Sequence, residues 1–126
     1  MYNETVMDHF TNPRNVGVLE DADVVAETSS PGCGDITKIY LKIRDNRIVD
    51  VKFQTLGCAA AIASSSMATE LVKGKTLEEA WTLTRTDVAD ALGGLPEPKL
   101  HCSVLAEDAI RTAINQYRID RGLAPW

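Results

Sequence analysis

Ile36-Thr37-Lys38-Ile39-Tyr40-Leu41-Lys42-Ile43-Arg44-Asp45-Asn46-Arg47-Ile48-Val49-Asp50-Val51-Lys52-Phe53-Gln54-Thr55 reads as two strands joined by a turn. In the first half Ile39, Leu41 and Ile43 fall on one side with Lys42 opposite, which is the period of a strand. In the second half Val49, Val51 and Phe53 alternate with Asp50, Lys52 and Gln54. Arg44-Asp45-Asn46-Arg47 carries the turn. The alternation predicts an antiparallel hairpin with one buried and one wet face.

Working outward, Val24 to Thr28 suggests a further short strand, Glu4 to Phe10 a short helix, and Asn12-Pro13-Arg14-Asn15 a turn. Gly57-Cys58 ends the hairpin, and Ala59 to Lys73 reads as a helix stopped by Gly74. Thr76-Leu77-Glu78-Glu79 fits a capping box that starts a short helix through Trp81. Thr86-Asp87 opens another short helix, closed by Gly93-Gly94. The final helix starts near Ser103. Ala106, Ile110, Ala113 and Tyr117 share one of its faces, while Glu107, Asp108, Arg111 and Arg118 lie off it. Arg121 to Trp126 reads as a frayed tail. Strands first and helices after predict a single α+β domain over residues 1–126, a small antiparallel sheet with helices packed on one face.

Composition narrows the function classes. A chain of 126 residues is long enough for one core and too short for two. A net charge of -5 without a basic stripe argues against a nucleic-acid partner. The longest apolar stretch, Leu56 to Ala63, is too short to span a bilayer. Met1 to Phe10 carries acids and no long apolar run, unlike a signal or transit peptide. Three cysteines cannot all be paired within the chain, so reduced thiols in the cytoplasm are the expectation.

Those cysteines stand at the ends of elements. Cys33 lies in the Gly-flanked loop Pro31-Gly32-Cys33-Gly34-Asp35, Cys58 at a strand-to-helix junction, and Cys102 beside His101 where a proline-bearing loop enters the last helix. A helix start favours negative charge and therefore a thiolate. Each cysteine taken alone reads equally well as a small buried hydrophobe. Asp35 reads either as a turn residue or as a ligand, and His101 either as a surface residue or as a ligand. Glycine beside Cys33 and Cys58 lets the backbone approach a bulky inorganic ligand. Ser64-Ser65-Ser66 fits close helix packing better than nucleophilic chemistry, since no base stands beside it in sequence.

If the three thiols converge, soft sulfur selects zinc, copper(I) or an iron–sulfur cluster over hard ions. Zinc is satisfied by three Cys with one His or Asp. A stable [2Fe–2S] cluster generally wants four Cys. With a harder fourth ligand, the site holds a cluster loosely enough to give it away. The zinc-enzyme patterns H-x-E…P-C-x-x-C and H-E-x-x-H are absent, which leaves a hydrolase only the His101–Cys102 base–nucleophile pair.

Over nearly its whole length the chain resembles the IscU family of iron–sulfur cluster scaffolds, including the N-terminal domain of NifU-type proteins. The resemblance is carried by Asn12-Pro13-Arg14-Asn15-Val16-Gly17, Cys33-Gly34-Asp35, Gly57-Cys58 with Ala61-Ile62-Ala63-Ser64-Ser65-Ser66, Lys73-Gly74-Lys75, and His101-Cys102-Ser103-Val104-Leu105-Ala106-Glu107-Asp108-Ala109-Ile110. It implies a scaffold and not an enzyme. A labile [2Fe–2S] cluster is expected on Cys33, Cys58 and Cys102, completed by Asp35, His101 or a partner's cysteine. Sulfur would come from a cysteine desulfurase of the IscS or NifS type, arriving as a persulfide on Cys102. Fe2+ would arrive separately, electrons would come from a donor such as ferredoxin, and apo iron–sulfur proteins would be the recipients. Zn2+ is implied for the cluster-free form. The family's N-terminal aromatic residue, implicated in pairing protomers during persulfide reduction, falls on Tyr2.

Two departures stand out. The family's chaperone motif Leu-Pro-Pro-Val-Lys is Leu95-Pro96-Glu97-Pro98-Lys99 here, which predicts weak or absent binding to an Hsp70-type chaperone. The Gly-Ser usual after the middle cysteine is Ala59-Ala60, and alanine stiffens that turn toward helix. A zinc-bound sulfur-acceptor branch, SufU, is similar, but it carries an insertion before its last cysteine and lacks the histidine.

Overall fold

The computed structural model describes residues 2–30, 34–95 and 102–126. Its elements run α1 (Glu4–Thr11), β1 (Val24–Ser30), β2 (Asp35–Arg44), β3 (Arg47–Leu56), α2 (Ala59–Val72), α3 (Leu77–Trp81), α4 (Arg85–Ala91) and α5 (Cys102–Asp120). The strands form one antiparallel sheet in the order β1-β2-β3, so the predicted α+β architecture holds. Asp45 and Asn46 both take positive φ, 53° and 64°, which is the two-residue turn that matches the twist of a hairpin.

One sheet face carries Val24 and Ala26 of β1, Ile39, Leu41 and Ile43 of β2, and Val51 of β3. It is sealed by Ala63, Ala68 and Val72 of α2 and by Ala106, Ala109, Ile110, Ala113 and Ile114 of α5. Small residues on both helices let them lie close to the sheet and to each other. The edge of β3 is covered by the Asn12–Gly17 segment. The Phe53 N–H donates to Asn15 O at 2.8 Å and the Gly17 N–H to Phe53 O at 2.9 Å, a single parallel bridge at Val16. That cover blunts an edge otherwise open to pairing with another chain.

Several expectations are corrected. Ile48, not Val49, points inward: Ile48 is 0% exposed and Val49 44%. The register changes from Lys42↔Asp50 to Ile43↔Ile48, so Val49 is the extra residue of a β-bulge, and one extra residue reverses the face that follows. The outer face is not wholly wet, because Tyr40 is buried there with its hydroxyl donating to Gln54 Oε1 at 2.9 Å. The helix read from Thr86 starts one residue earlier, since Thr84 and Asp87 form a second capping box like that of Thr76 and Glu79. Glu107 is buried rather than solvated, with Arg111 Nη1 at 2.9 Å; Arg111 Nε also donates to Trp81 O, tying α3 to α5. The segment from Arg121 to Trp126 folds back on α5. The Trp126 N–H donates to Asn115 Oδ1 at 2.8 Å, and its ring meets Trp81 edge-on at 5.5 Å and lies under the Arg118 guanidinium at 4.3 Å.

Buried His9 fastens α1 to α2. Its Nδ1 lies 2.7 Å from Ser66 Oγ, which also accepts the Arg14 N–H at 2.9 Å. Burial, helped by the nearby Arg14 charge, pushes the His9 pKa below its ordinary value. The folded state therefore binds this proton less readily than the unfolded chain. The stabilisation is complete above about pH 6.5 and is lost as pH falls below it. The melting temperature is accordingly expected to drop between neutral and mildly acidic pH. His9→Gln should flatten that slope, and an unchanged slope in the variant would show that His9 is not its source.

Candidate functional site

The hairpin register builds the site. With Ile36 opposite Leu56, the next pair outward is Asp35 and Gly57, and Cys58 follows at once. Asp35 shares the inward face of Thr37 and Ile39, and it is only 8% exposed although it ends its strand. Cys58 is the N-cap of α2 with extended backbone, φ −75° and ψ 171°, and its side chain makes no capping hydrogen bond. The half-buried sulfur instead approaches Asp35 Oδ2 at 3.9 Å.

Below this pair, hydroxyl groups separate the site from the apolar core. Thr37 Oγ1 and Thr55 Oγ1, a cross-strand pair, lie 3.1 Å apart, and the Thr55 hydroxyl donates to Ser65 Oγ at 3.0 Å. Sequence reading missed Thr37 and Thr55 as part of the site; the signal was there in threonines two residues inward of Asp35 and of Gly57. Ser64, Ser65 and Ser66 are all buried in the packing of α2, as expected of them.

The last helix begins at the same end of the sheet. Thr28 Oγ1 donates to Leu105 O at 3.3 Å, and Thr28 pairs with Thr37, two residues from Asp35. Cys102 opens this helix three residues before that contact, and α2 starts at Ala59, directly after Cys58. Helix starts supply unpaired N–H groups and a positive dipole end, which favour an anionic ligand such as a cluster. Tyr2 packs beside Cys58 and Leu95 against Ala60 and Ala61.

Of the predicted residues, then, Asp35 and Cys58 meet directly, Cys102 begins the neighbouring helix, and Tyr2 lies by the start of α2. Cys33 and His101 lie outside the described residues, as do Pro96 to Lys99 of the altered chaperone motif. Among the described residues no group of three metal-binding side chains gathers, and no helix is long and apolar enough to cross a membrane.

An α+β layer with Cys58 and Cys102 at helix starts defines a class, and the chain belongs to it: the NifU-like N terminal domain family, whose model matches residues 1–123. The chain is 64% identical over 117 residues to the iron-sulfur cluster assembly scaffold protein IscU 1 of Archaeoglobus fulgidus, covering 93% of this chain and 76% of that relative. To the scaffold protein IscU of Azotobacter vinelandii it is 50% identical, covering 97% of this chain and 98% of the relative. Among solved structures, the SUF-system protein FiSufU of Fervidobacterium islandicum superposes with a TM-score of 0.77 at 26% identity, over 90% of this chain and 96% of that one. The N-terminal NifU-like protein of Brucella abortus gives a TM-score of 0.71 at 26% identity, over 91% and 92%.

Proposed function

We propose that this chain is an iron–sulfur cluster assembly scaffold that builds a labile [2Fe–2S] cluster on Cys33, Cys58 and Cys102 and passes it to apo-proteins. The observation that carries the reading is the Cys58 sulfur at the N-cap of α2, set 3.9 Å from a buried carboxylate. The kinship with proteins named as scaffolds supports it. One relative, from Drosophila melanogaster, is named an assembly enzyme. Here the chain is a carrier: the cluster is its cargo and leaves it.

Sulfur enters by exchange. The Cys102 thiolate attacks the outer sulfur of a desulfurase persulfide, the S–S bond breaks, and the desulfurase thiolate leaves. Two electrons from a ferredoxin-type donor then cleave the new persulfide into sulfide and the Cys102 thiolate. In this reading Tyr2, beside the start of α2, serves the pairing of two chains during that reduction. Iron arrives separately as Fe2+, and Zn2+ occupies the thiols when no cluster is being built. Asp35 or His101 completes the cluster. A carboxylate oxygen is the harder ligand and binds iron–sulfide less firmly than sulfur does, which suits release.

Anaerobic reconstitution with iron, sulfide and a desulfurase tests the proposal. Thiolate-to-iron charge-transfer bands with equal bound iron and sulfide are expected. A colourless chain that keeps only zinc would overturn it in favour of the zinc-bound sulfur acceptor. Asp35→Ala is expected to hold the assembled cluster several times longer, read from the decay of the visible bands in the presence of an apo-acceptor. Faster loss from that variant would remove Asp35 from the release step.

A further inference from the structure

We propose that Gly57 is a positioning residue for Asp35: it is glycine so that the carboxylate can sit against the Cys58 sulfur. The inference rests on the scaffold reading for its consequence, though not for its geometry.

Two glycines flank the Asp35–Cys58 pair for different reasons. Gly34 has φ 73°, a left-handed backbone that other residues rarely adopt, and a Cβ there would meet nothing within 4 Å among the described residues. Gly57 is the reverse case. It is absent from the glycines with positive φ, so its backbone accepts any residue. A Cβ at 57, however, would stand 2.8 Å from Asp35 Cγ, 2.9 Å from Oδ1 and 3.1 Å from Oδ2. Real Cβ atoms do not come so close, so one of the two must move. Glycine costs backbone entropy on folding that alanine would recover. The atoms nearest to the missing methyl group are all of the Asp35 carboxylate. The obstacle is the end of a short side chain and not backbone, so an added methyl group displaces the carboxylate while leaving the fold in place.

The consequence follows from the register. Asp35 and Gly57 each stand one place beyond the last pair, Ile36↔Leu56, and Cys58 is the next residue. A carboxylate pushed off Gly57 moves relative to Oδ2's present place, 3.9 Å from the sulfur. Gly57→Ala should therefore behave as a partial Asp35→Ala, although it leaves every candidate ligand intact.

The test compares wild type, Gly57→Ala, Asp35→Ala and the double variant. In the reduced, cluster-free chain, alkylation of Cys58 is followed by peptide mapping with neutral iodoacetamide and with anionic iodoacetate, each rate normalised to free cysteine. The ratio of the two rates reports negative charge beside the sulfur, and a general change in access or thiolate fraction cancels from it. Removing Asp35 should relieve discrimination against the anion by about two- to fivefold, the effect in water of one unit charge some 4–8 Å from the reagent's carboxylate. Gly57→Ala should give a large part of that relief and add nothing once residue 35 is alanine, because the two side chains no longer collide. A wild-type ratio in Gly57→Ala, or an equal effect of Gly57→Ala with and without Asp35, overturns the proposal. If Gly57→Ala alone unfolds, the double variant must recover the melting temperature, and failure to recover it also overturns the proposal. Cluster retention is measured alongside and should lengthen in Gly57→Ala as in Asp35→Ala. A chain that assembles no cluster at all defeats the scaffold reading while leaving the alkylation result standing.

Discussion

Cys58→Ser is expected to abolish stable cluster assembly while leaving the fold as stable as before, or more so. The two halves of that result have separate causes at one position. Cys58 is the N-cap of α2, and its side chain makes no capping hydrogen bond. Serine is among the best N-cap residues, because its hydroxyl accepts an N–H of the first turn. The substitution should therefore stabilise α2 by about 0.5–1 kcal/mol. For iron and sulfide the same change replaces a soft thiolate by a neutral, hard hydroxyl. Disturbing even an outer partner of a metal ligand typically costs about 10–100-fold in affinity, so losing a ligand outright should cost at least that. Bound iron and sulfide after anaerobic reconstitution, set beside the melting temperature of the cluster-free chain, separate the two effects. A loss of both would mean that Cys58 supports the fold. A full cluster on the serine variant would remove Cys58 from the ligand set.

The sheet, its partner helices and the places where they start were readable because each rests on local chemistry: alternation in β2, the Thr76–Glu79 box, and the glycine after α2. What was not readable depends on contacts distant in sequence. Glu107 carries a charge and so reads as solvated, yet Arg111, itself held by the carbonyl of Trp81, lets it be buried. Arg121 to Trp126 is polar at its start and contains Gly122 and Pro125, which favours fraying. Trp126 nonetheless finds Trp81, Arg118 and Asn115, and only the fold brings these together. Asp35 was a candidate from its neighbours. That it is buried against Gly57 and Cys58 follows from strand register, and the register depends on the bulge.

That bulge carries the second large effect, which is a contrast between neighbours. Ile48→Ala should cost about 2–4 kcal/mol and lower the melting temperature by on the order of 10 °C. Val49→Ala should change stability by less than about 0.5 kcal/mol. Simple alternation down β3 from Phe53 and Val51 puts Val49 inside and reverses the expectation. The reason it fails is visible in the hairpin itself. The two-residue turn pairs Arg44 with Arg47, and an unbroken ladder from there would set Leu41 against Asp50 and Ile39 against Lys52, apolar against polar across the core face. One extra residue in β3 cures the mismatch: Leu41 then meets Val51 and Ile39 meets Phe53. Val49 is that residue, turned outward, and Ile48 closes the core beneath it. The same shift of one place brings Gly57, rather than Leu56, opposite Asp35. An unbroken ladder would set a leucine side chain across from the carboxylate and move Cys58 one place further along. Equal losses from the two alanine variants, measured by thermal or urea unfolding, would mean that the ladder is unbroken in solution and that the Asp35–Cys58 pair is not held by register.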